Sequence, residues 1–178
     1  KLTENDGAPK LQQQFARHIP QGGKILDYGC GPGFAASYFA ELGYDVDAFD
    51  GSLEMVMLAK TRPHISVRHL TFQDFSAPNA YDGIWASFSL LHAPRSEFPT
   101  LLRTIHQALR PSGQLFLGMK LGSGEHRDDL GRLYSYYSEQ ELRERLKETG
   151  FHWRDHQLGS GKGLDGSHSE WILIFAHA

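Results

Sequence analysis

What the sequence withholds narrows it before any motif is read. Cys30 is its only cysteine, so no intrachain disulfide and no paired-thiol zinc site can form, and the chain suits a reducing compartment. No apolar run approaches the ~20 residues of a membrane-spanning helix. The opening KLTENDGAPK is polar, without a signal-peptide core, and has no initiator Met, which leaves room for residues upstream. A cytoplasmic protein with no membrane partner is the expectation. Basic blocks are also missing and the formal net charge is −3, whereas a nucleic-acid surface asks for clustered Lys and Arg. No nucleic-acid partner is expected, and monomer and homodimer both stay open. The 178 residues show no internal repeat and no linker. One domain over 1–178 is expected, and a chain of this length buries roughly 70% of its unfolded surface without needing a staple.

What is there alternates. Leu11, Phe15 and Ile19, with Ala16 beside them, mark one helical face that ends at Pro20. Lys24–Tyr28 reads as a strand, Phe34–Leu42 as a helix closed by Gly43, and Tyr44–Phe49 as a second strand. Ser52 caps a helix from Leu53 to about Lys60. Ile65–Leu70 and YDGIWAS at 81–87 are further strands, followed by an amphipathic helix over Glu97–Leu109 that RPSG stops. QLFLGMK is the next strand. Ser138 and Glu141 form a capping-box pattern at the head of a helix over Glu139–Thr149. FHWRDHQL and EWILIFAH finish the chain as strands joined by GSGKGLDGSHS, read as a flexible loop. The alternation predicts an α/β fold with a doubly wound, mostly parallel sheet, and the closing pair an antiparallel hairpin at one edge. Residues 121–137 are too polar and too long for a plain turn, and such an insertion is usually functional or mobile.

The chemistry gathers in KILDYGCGPGFAASYFAELGYDVDAFDGS, Lys24 to Ser52. Glycines at a strand-to-helix turn admit positive φ and close approach of a ligand, and open α/β sheets bind ligands at the carboxyl ends of their strands. The dinucleotide fingerprint is G-x-G-x-x-G. Here Phe34 fills its third glycine position and Gly33 falls one residue early. Asp27 lies just upstream, where a carboxylate would repel a pyrophosphate and attract an amine or sulfonium. Asp50, 23 residues further on, is placed to accept from both ribose hydroxyls. A ribose together with a positive charge describes S-adenosylmethionine.

ILDYGCGPG, DVDAFDGS, FQDF, YDGIWASFSLLH and LRPSGQLFLGMK, in this order and spacing, resemble a class I S-adenosylmethionine-dependent methyltransferase over roughly residues 10–178. The resemblance implies a seven-stranded Rossmann-like fold, S-adenosylmethionine as cofactor and S-adenosylhomocysteine as product. LLHAPRSEF and GEHRDDLGRLYSYYSEQEL resemble small bacterial methyltransferases of the tellurite-resistance type. Carried over by motif, Gly29, Cys30 and Gly31 would lie against the methionine part, Asp27 would face its amino group, often through water, and Tyr28 belongs to the same cofactor-binding set. Asp50 would hold the ribose, Gly51, Ser52 and Met55 would flank the adenosine, and Gln73 and Asp74 would meet the adenine edge, with Phe75 or Phe72 over the ring. Ser87 and Phe88 would face cofactor and acceptor. The resemblance also suggests a lid role for the first helix, the alternative being packing on the sheet.

SFSLLH stands where nucleic-acid amino-methyltransferases carry an Asn/Asp-Pro-Pro-aromatic motif, which argues against base N-methylation. His92, just past the fourth long strand, is the candidate general base, since its ordinary pKa suits that task. Its alternative role is a local bond at the start of the next helix. Arg127 is a candidate for an anionic acceptor, and Tyr134 and Tyr137 for the walls of the transfer site. His152 and His156, four apart on a predicted strand, share one solvent face rather than make a metal pair, and no metal is expected. The expected activity is methyl transfer to a small molecule, a soft nucleophile such as a thiol or a tellurite-like oxyanion among the options. The alternatives are a non-catalytic module that holds the cofactor or a nucleoside, a protein or RNA methyltransferase, and a nicotinamide-dependent oxidoreductase.

Overall fold

The computed structural model describes residues 8–162 and 168–178. Its elements run α1 (Ala8–Ala16), β1 (Lys24–Tyr28), α2 (Phe34–Glu41), β2 (Asp45–Asp50), α3 (Leu53–Ala59), β3 (Ser66–His69), β4 (Tyr81–Ser87), a 3₁₀ turn (Leu90–His92), α4 (Phe98–Ala108), β5 (Leu109–Lys120), β6 (Glu125–Arg127), β7 (Leu133–Ser135), α5 (Glu139–Glu148), β8 (His152–Lys162) and β9 (His168–His177). Seven strands form one sheet in the order β3-β2-β1-β4-β5-β9-β8. The first five are parallel, and β9 runs antiparallel between β5 and β8. The strand order reverses between β1 and β4, so the carboxyl ends of those strands flank the switch point at which such sheets bind ligands.

Helices cover both faces, as parallel strands buried on two sides require. On one face Phe15 of α1, Phe39 of α2, and Val56 and Ala59 of α3 pack with Trp85 and Phe116. On the other, Leu101, Leu102 and Ile105 of α4 and Leu142 and Leu146 of α5 pack with Ile84, Leu117 and Ile174. Trp85 and Phe116 stack across β4 and β5 with ring centroids 3.7 Å apart, and Phe15 meets Trp85 edge-on at 5.4 Å. At Gly83 a Cβ would come within 2.9 Å of the Phe15 ring, so the missing side chain lets α1 press onto β4. Through Ala8–Ala16 the first helix is therefore sheet packing and not a lid.

The 121–137 insertion carries its own element. β6 and β7 pair antiparallel as a separate two-stranded sheet. The capping box at the head of α5 is present, with the Ser138 hydroxyl accepting from Glu141 N and the Glu141 carboxylate from Ser138 N. The closing strands reach further into GSGKGLDGSHS than the sequence suggests, to Lys162 and from His168; the rest of that loop lies outside the described residues.

His152 and His156 do not share a face. The register of β8 slips between Trp153 and Asp155, and one extra residue reverses the side-chain alternation beyond it. His152 stacks on His177 and His156 packs against Trp153. Among the described residues no three His, Cys, Asp or Glu side chains gather as a metal site.

Phe15→Ala removes a fully buried ring from the α1–sheet contact. It is expected to destabilise the protein by ~3–5 kcal/mol, read as a lower urea midpoint at unchanged slope. A loss under ~1 kcal/mol would show that α1 does not hold the sheet.

Candidate functional site

Gly29, Gly31 and Gly33 all have positive φ, at 75°, 52° and 77°, and turn the chain sharply from β1 into α2. At Gly29 a Cβ would sit 2.5 Å from the Ser89 Cβ, whereas at Gly31 it would meet nothing within 4 Å. The turn is thus packed on one side and open on the other. Its backbone donors are already used. Gly29 N and Cys30 N both donate to Phe49 O, and Gly33 N to Cys30 O. Gly31 N donates to Asp50 Oδ2 at 2.7 Å, and Pro32 has no N–H. A pyrophosphate site needs free N–H groups at such a turn; here Gly29–Gly33 offers none.

Two carboxylates stand behind the turn. Parallel pairing of β1 with β2 sets Asp27 beside Ala48 and Tyr28 beside Phe49, so Asp27 and Asp50 come out at neighbouring strand ends. Asp27 is 3% exposed. Its Oδ2 accepts from Ala36 N in the first turn of α2 at 3.0 Å, and its Oδ1 has no partner among the described residues. Burial pushes its pKa from 3.8 up to about 7; the Ala36 N–H opposes this and the Asp50 charge adds to it. Asp50 accepts from Gly31 N through one oxygen and from Ser52 N through the other. A carboxylate has about four lone-pair sites, so about two remain for hydroxyl donors. The Ser52 hydroxyl also caps α3 by accepting from Met55 N, which fixes Gly51, Ser52 and the half-exposed Met55 beside the turn.

The open glycine face, the unpartnered Asp27 oxygen and the residual acceptor capacity of Asp50 fit a ligand with a cationic end and vicinal hydroxyls. The 71–74 turn borders this region. Asp74 accepts from the Thr71 hydroxyl at 2.6 Å, and the Gln73 amide donates to Glu97 at 2.6 Å. Ser89 fastens the fourth strand's exit to the turn, its hydroxyl donating to Tyr28 O at 2.5 Å. Ser87 and Phe88 precede it, and Phe88 holds φ 54° while its N–H donates to Gly118 O.

Other expected residues stand elsewhere. The Tyr28 ring is fully buried, stacked on Phe72 and edge-on to Phe49. Side chains alternate along a strand, so Tyr28 points to the sheet face opposite Asp27 and meets the turn only through its backbone. Phe75 is 3% exposed and stacks on Phe49, which leaves no open ring face for an adenine. Phe72 is the partly exposed aromatic of that loop, 3.4 Å from the position of a Gly29 Cβ. Cys30 keeps its thiol inside, against Gly31 O, and burial pushes its pKa up.

The proposed catalytic residues divide. The His92 ring packs edge-on against Tyr134, centroids 4.8 Å apart, and its Nδ1 lies 2.7 Å from Leu133 O. A carbonyl only accepts, so Nδ1 carries the hydrogen and the neutral ring has its lone pair on Nε2. Partial desolvation of this otherwise exposed ring pushes the His92 pKa below 6.5; the Leu133 contact and Asp128 oppose this, and Arg132 and Lys120 lower it further. Arg127 and Tyr137 do not join this pair. The exposed Arg127 donates to Gly131 O across its own hairpin. Tyr137 is 2% exposed between Phe98 and the Arg95 guanidinium, and burial pushes its hydroxyl up to about 12.

The sequence reading passed over Arg95 and Ser135. Arg95 donates to Tyr136 O and pairs with Glu141, while its backbone N–H reaches Glu125. The Ser135 hydroxyl donates to Ala93 O at 2.7 Å. Together they pin the β6–β7 hairpin and α5 to the loop that carries His92. The only trace in the sequence is an Arg just after LLHAP, without a visible partner. A cavity of about 540 Å³ lined by Gln13, Arg17, Leu42 and Tyr44 opens at the amino-terminal ends of β1 and β2, away from all of these groups.

Asp27 makes stability depend on pH. Between about pH 4 and pH 7 the folded protein keeps a proton that the unfolded chain has lost. The stability this contributes is full below that window and is lost as pH rises through it. Asp27→Asn keeps an oxygen for Ala36 N and cannot ionise. Its urea midpoint is expected to fall less than the wild type's from pH 4 to pH 7; parallel profiles would refute the assignment.

Residues 4–156 match the family model described as a methyltransferase domain. The ubiquinone biosynthesis O-methyltransferase of Xanthomonas axonopodis pv. citri is 32% identical over 116 residues, 61% of this chain and 47% of the relative. The chain spans about half the length of the curated relatives it matches. Among solved structures, the Burkholderia thailandensis 1,6-didemethyltoxoflavin-N1-methyltransferase with bound 1,6-didemethyltoxoflavin and S-adenosylhomocysteine superposes with a TM-score of 0.79 at 25% identity, over 97% of this chain and 79% of that one. The [4+2]-cyclase SpnF shares the fold, with a TM-score of 0.75 at 19% identity over 98% of this chain and 84% of that one. The family match runs through most of the chain, which belongs to the methyltransferase-domain family of class I S-adenosylmethionine-dependent methyltransferases.

Proposed function

We propose that this chain transfers the methyl group of S-adenosylmethionine to a protic oxygen or nitrogen of a small molecule. The observation that carries the reading is the glycine turn, which has no free N–H from Gly29 to Gly33 and two carboxylates behind it. Such a turn suits a sulfonium and an ammonium and disfavours a nicotinamide dinucleotide's pyrophosphate. When bound, the cofactor supplies an electrophilic methyl group on a positively charged sulfur. In this reading Asp27 faces its ammonium, directly or through water, and Asp50 accepts from the ribose hydroxyls while keeping Gly31 in place. Gly51, Ser52 and Met55 flank the adenosine, Gln73 and Asp74 border the adenine edge, and of the two expected ring-covering aromatics Phe72 takes the part.

His92 is the base. Leu133 O fixes its tautomer, and the lowered pKa keeps Nε2 unprotonated at neutral pH. The residue waits for a proton, which a hydroxyl or ring N–H acceptor has to lose. A thiolate or tellurite oxyanion has none, so the His92 arrangement lends those acceptors no support. The named relatives point the same way, one being an O-methyltransferase and one a 1,6-didemethyltoxoflavin-N1-methyltransferase. Positioning completes the task, because holding donor and acceptor in line supplies up to ~7–11 kcal/mol in well-oriented systems.

The shared fold of a [4+2]-cyclase keeps one rival in view: a module that holds the cofactor without transferring its methyl. Calorimetry with S-adenosylhomocysteine is expected to show one saturable site on the wild type. Asp50→Asn loses one charge-assisted acceptor, worth ~1.5–3 kcal/mol, and should bind about 10- to 100-fold more weakly. Absence of wild-type binding would refute the cofactor assignment. With an acceptor in hand, His92→Gln should lower kcat by about 10²–10⁴ and leave S-adenosylhomocysteine affinity intact. Unchanged turnover would remove His92 as base.

A further inference from the structure

Lys120 ends β5, the neighbour of the strand whose exit carries His92. Its Nζ lies 4.6 Å from the centroid of the Tyr134 ring, the ring on which His92 packs edge-on. One buried ring thus holds an ammonium and an imidazole, at the end of the sheet where the glycine turn opens. Of the other cations of this region, Arg132, itself 5.6 Å from the Tyr134 ring centroid, pairs with Asp128, Arg95 pairs with Glu141, and Arg127 donates to Gly131 O. Lys120 is half-buried and has no carboxylate partner among the described residues.

An ammonium partly withdrawn from water costs free energy unless it is compensated. The face of one tyrosine returns only ~0.5–2 kcal/mol. An anion at this position would return more, since hydrogen bonds to charged groups contribute ~1.5–3 kcal/mol. The neighbouring base needs the same partner. An imidazole with a lowered pKa is a weak base, and an unperturbed phenol holds its proton to a pKa of about 10. A positive charge beside the acceptor oxygen favours its ionised form and narrows that gap.

We propose that Lys120 is a specificity-determining residue of the acceptor subsite and selects small molecules that carry a carboxylate or an acidic hydroxyl beside the atom to be methylated. His92 and Tyr134 form the rest of the subsite. This rests on the methyltransferase reading above and adds to it the charge of the acceptor. It also moves the anion-binding part from Arg127, whose guanidinium is tied to Gly131 O, to Lys120.

The test is made on the whole chain saturated with S-adenosylhomocysteine, with histidine ring nitrogens labelled for NMR. The probes are salicylate, a carboxylate beside a hydroxyl, and phenol, its neutral counterpart. Salicylate is expected to bind saturably and to shift the His92 ring signals, identified by their loss in His92→Gln. Lys120→Met should weaken salicylate by about 10-fold or more, equivalent to ~1.4 kcal/mol, while Lys120→Arg retains it and phenol is indifferent to both changes. Salicylate affinity equal in wild type and Lys120→Met, binding that leaves His92 unshifted, or no saturable binding to the loaded wild type would each overturn the assignment. S-adenosylhomocysteine affinity, measured first on every variant, separates the two levels. Its loss in the wild type would overturn the methyltransferase reading itself. Its retention in Lys120→Met shows that the cofactor cleft is intact, so that a change in salicylate binding reports on the ammonium alone.

Discussion

The hydrogen bond from Gly31 N to the Asp50 carboxylate is the contact on which the cofactor region depends. It joins the turn after β1 to the end of β2, two segments brought side by side only by parallel pairing. It takes the turn's outward-facing donor out of service, and with Phe49 O receiving Gly29 N and Cys30 N it turns the loop into an acceptor surface. A motif that elsewhere cradles phosphates through N–H groups becomes one suited to a cation. Asp27 lies beneath it as a second acid whose ionisation burial resists.

A second set of constraints acts at the other wall. The 3₁₀ turn bearing His92 is held by Ser89 to the glycine turn and by Arg95 and Ser135 to the β6–β7 hairpin and α5. The polar insertion at 121–137 is therefore built onto the loop that carries His92. Its strand β7 supplies the carbonyl that sets the imidazole tautomer and the ring on which both His92 and Lys120 rest. In the proposed site the cofactor wall and the acceptor wall thus meet through Ser89.

The legible parts of this molecule were those carried by short spacings. Helix and strand alternation, the capping box of α5, the irregular glycine spacing and the acid at the end of β2 each depend on residues a few positions apart, where periodicity and turn chemistry act directly. Misreadings arose where facing matters more than spacing. Tyr28 and Phe75 stand within the right motifs, yet strand alternation and the aromatic cluster around Phe49 turn their rings into the core. One residue of bulge separates His152 from His156. Arg127 sits in a hairpin that uses its charge locally.

By itself the sequence determined the α/β class, the sharp glycine turn after β1 and the acids at the ends of β1 and β2, because local propensity and the pairing of glycines with nearby acids are encoded within some thirty residues. Only the tertiary structure decided which side chains turn away from the core, which nitrogen of His92 is free, and that Lys120 shares the Tyr134 ring with it and has no carboxylate partner among the described residues. Those properties arise from contacts between segments 14 to 42 positions apart: Tyr134 with Lys120 and with His92, Leu133 with His92, and Ser135 with Ala93. Contacts at that separation are set by sheet order and packing, and they leave no periodic trace along the chain.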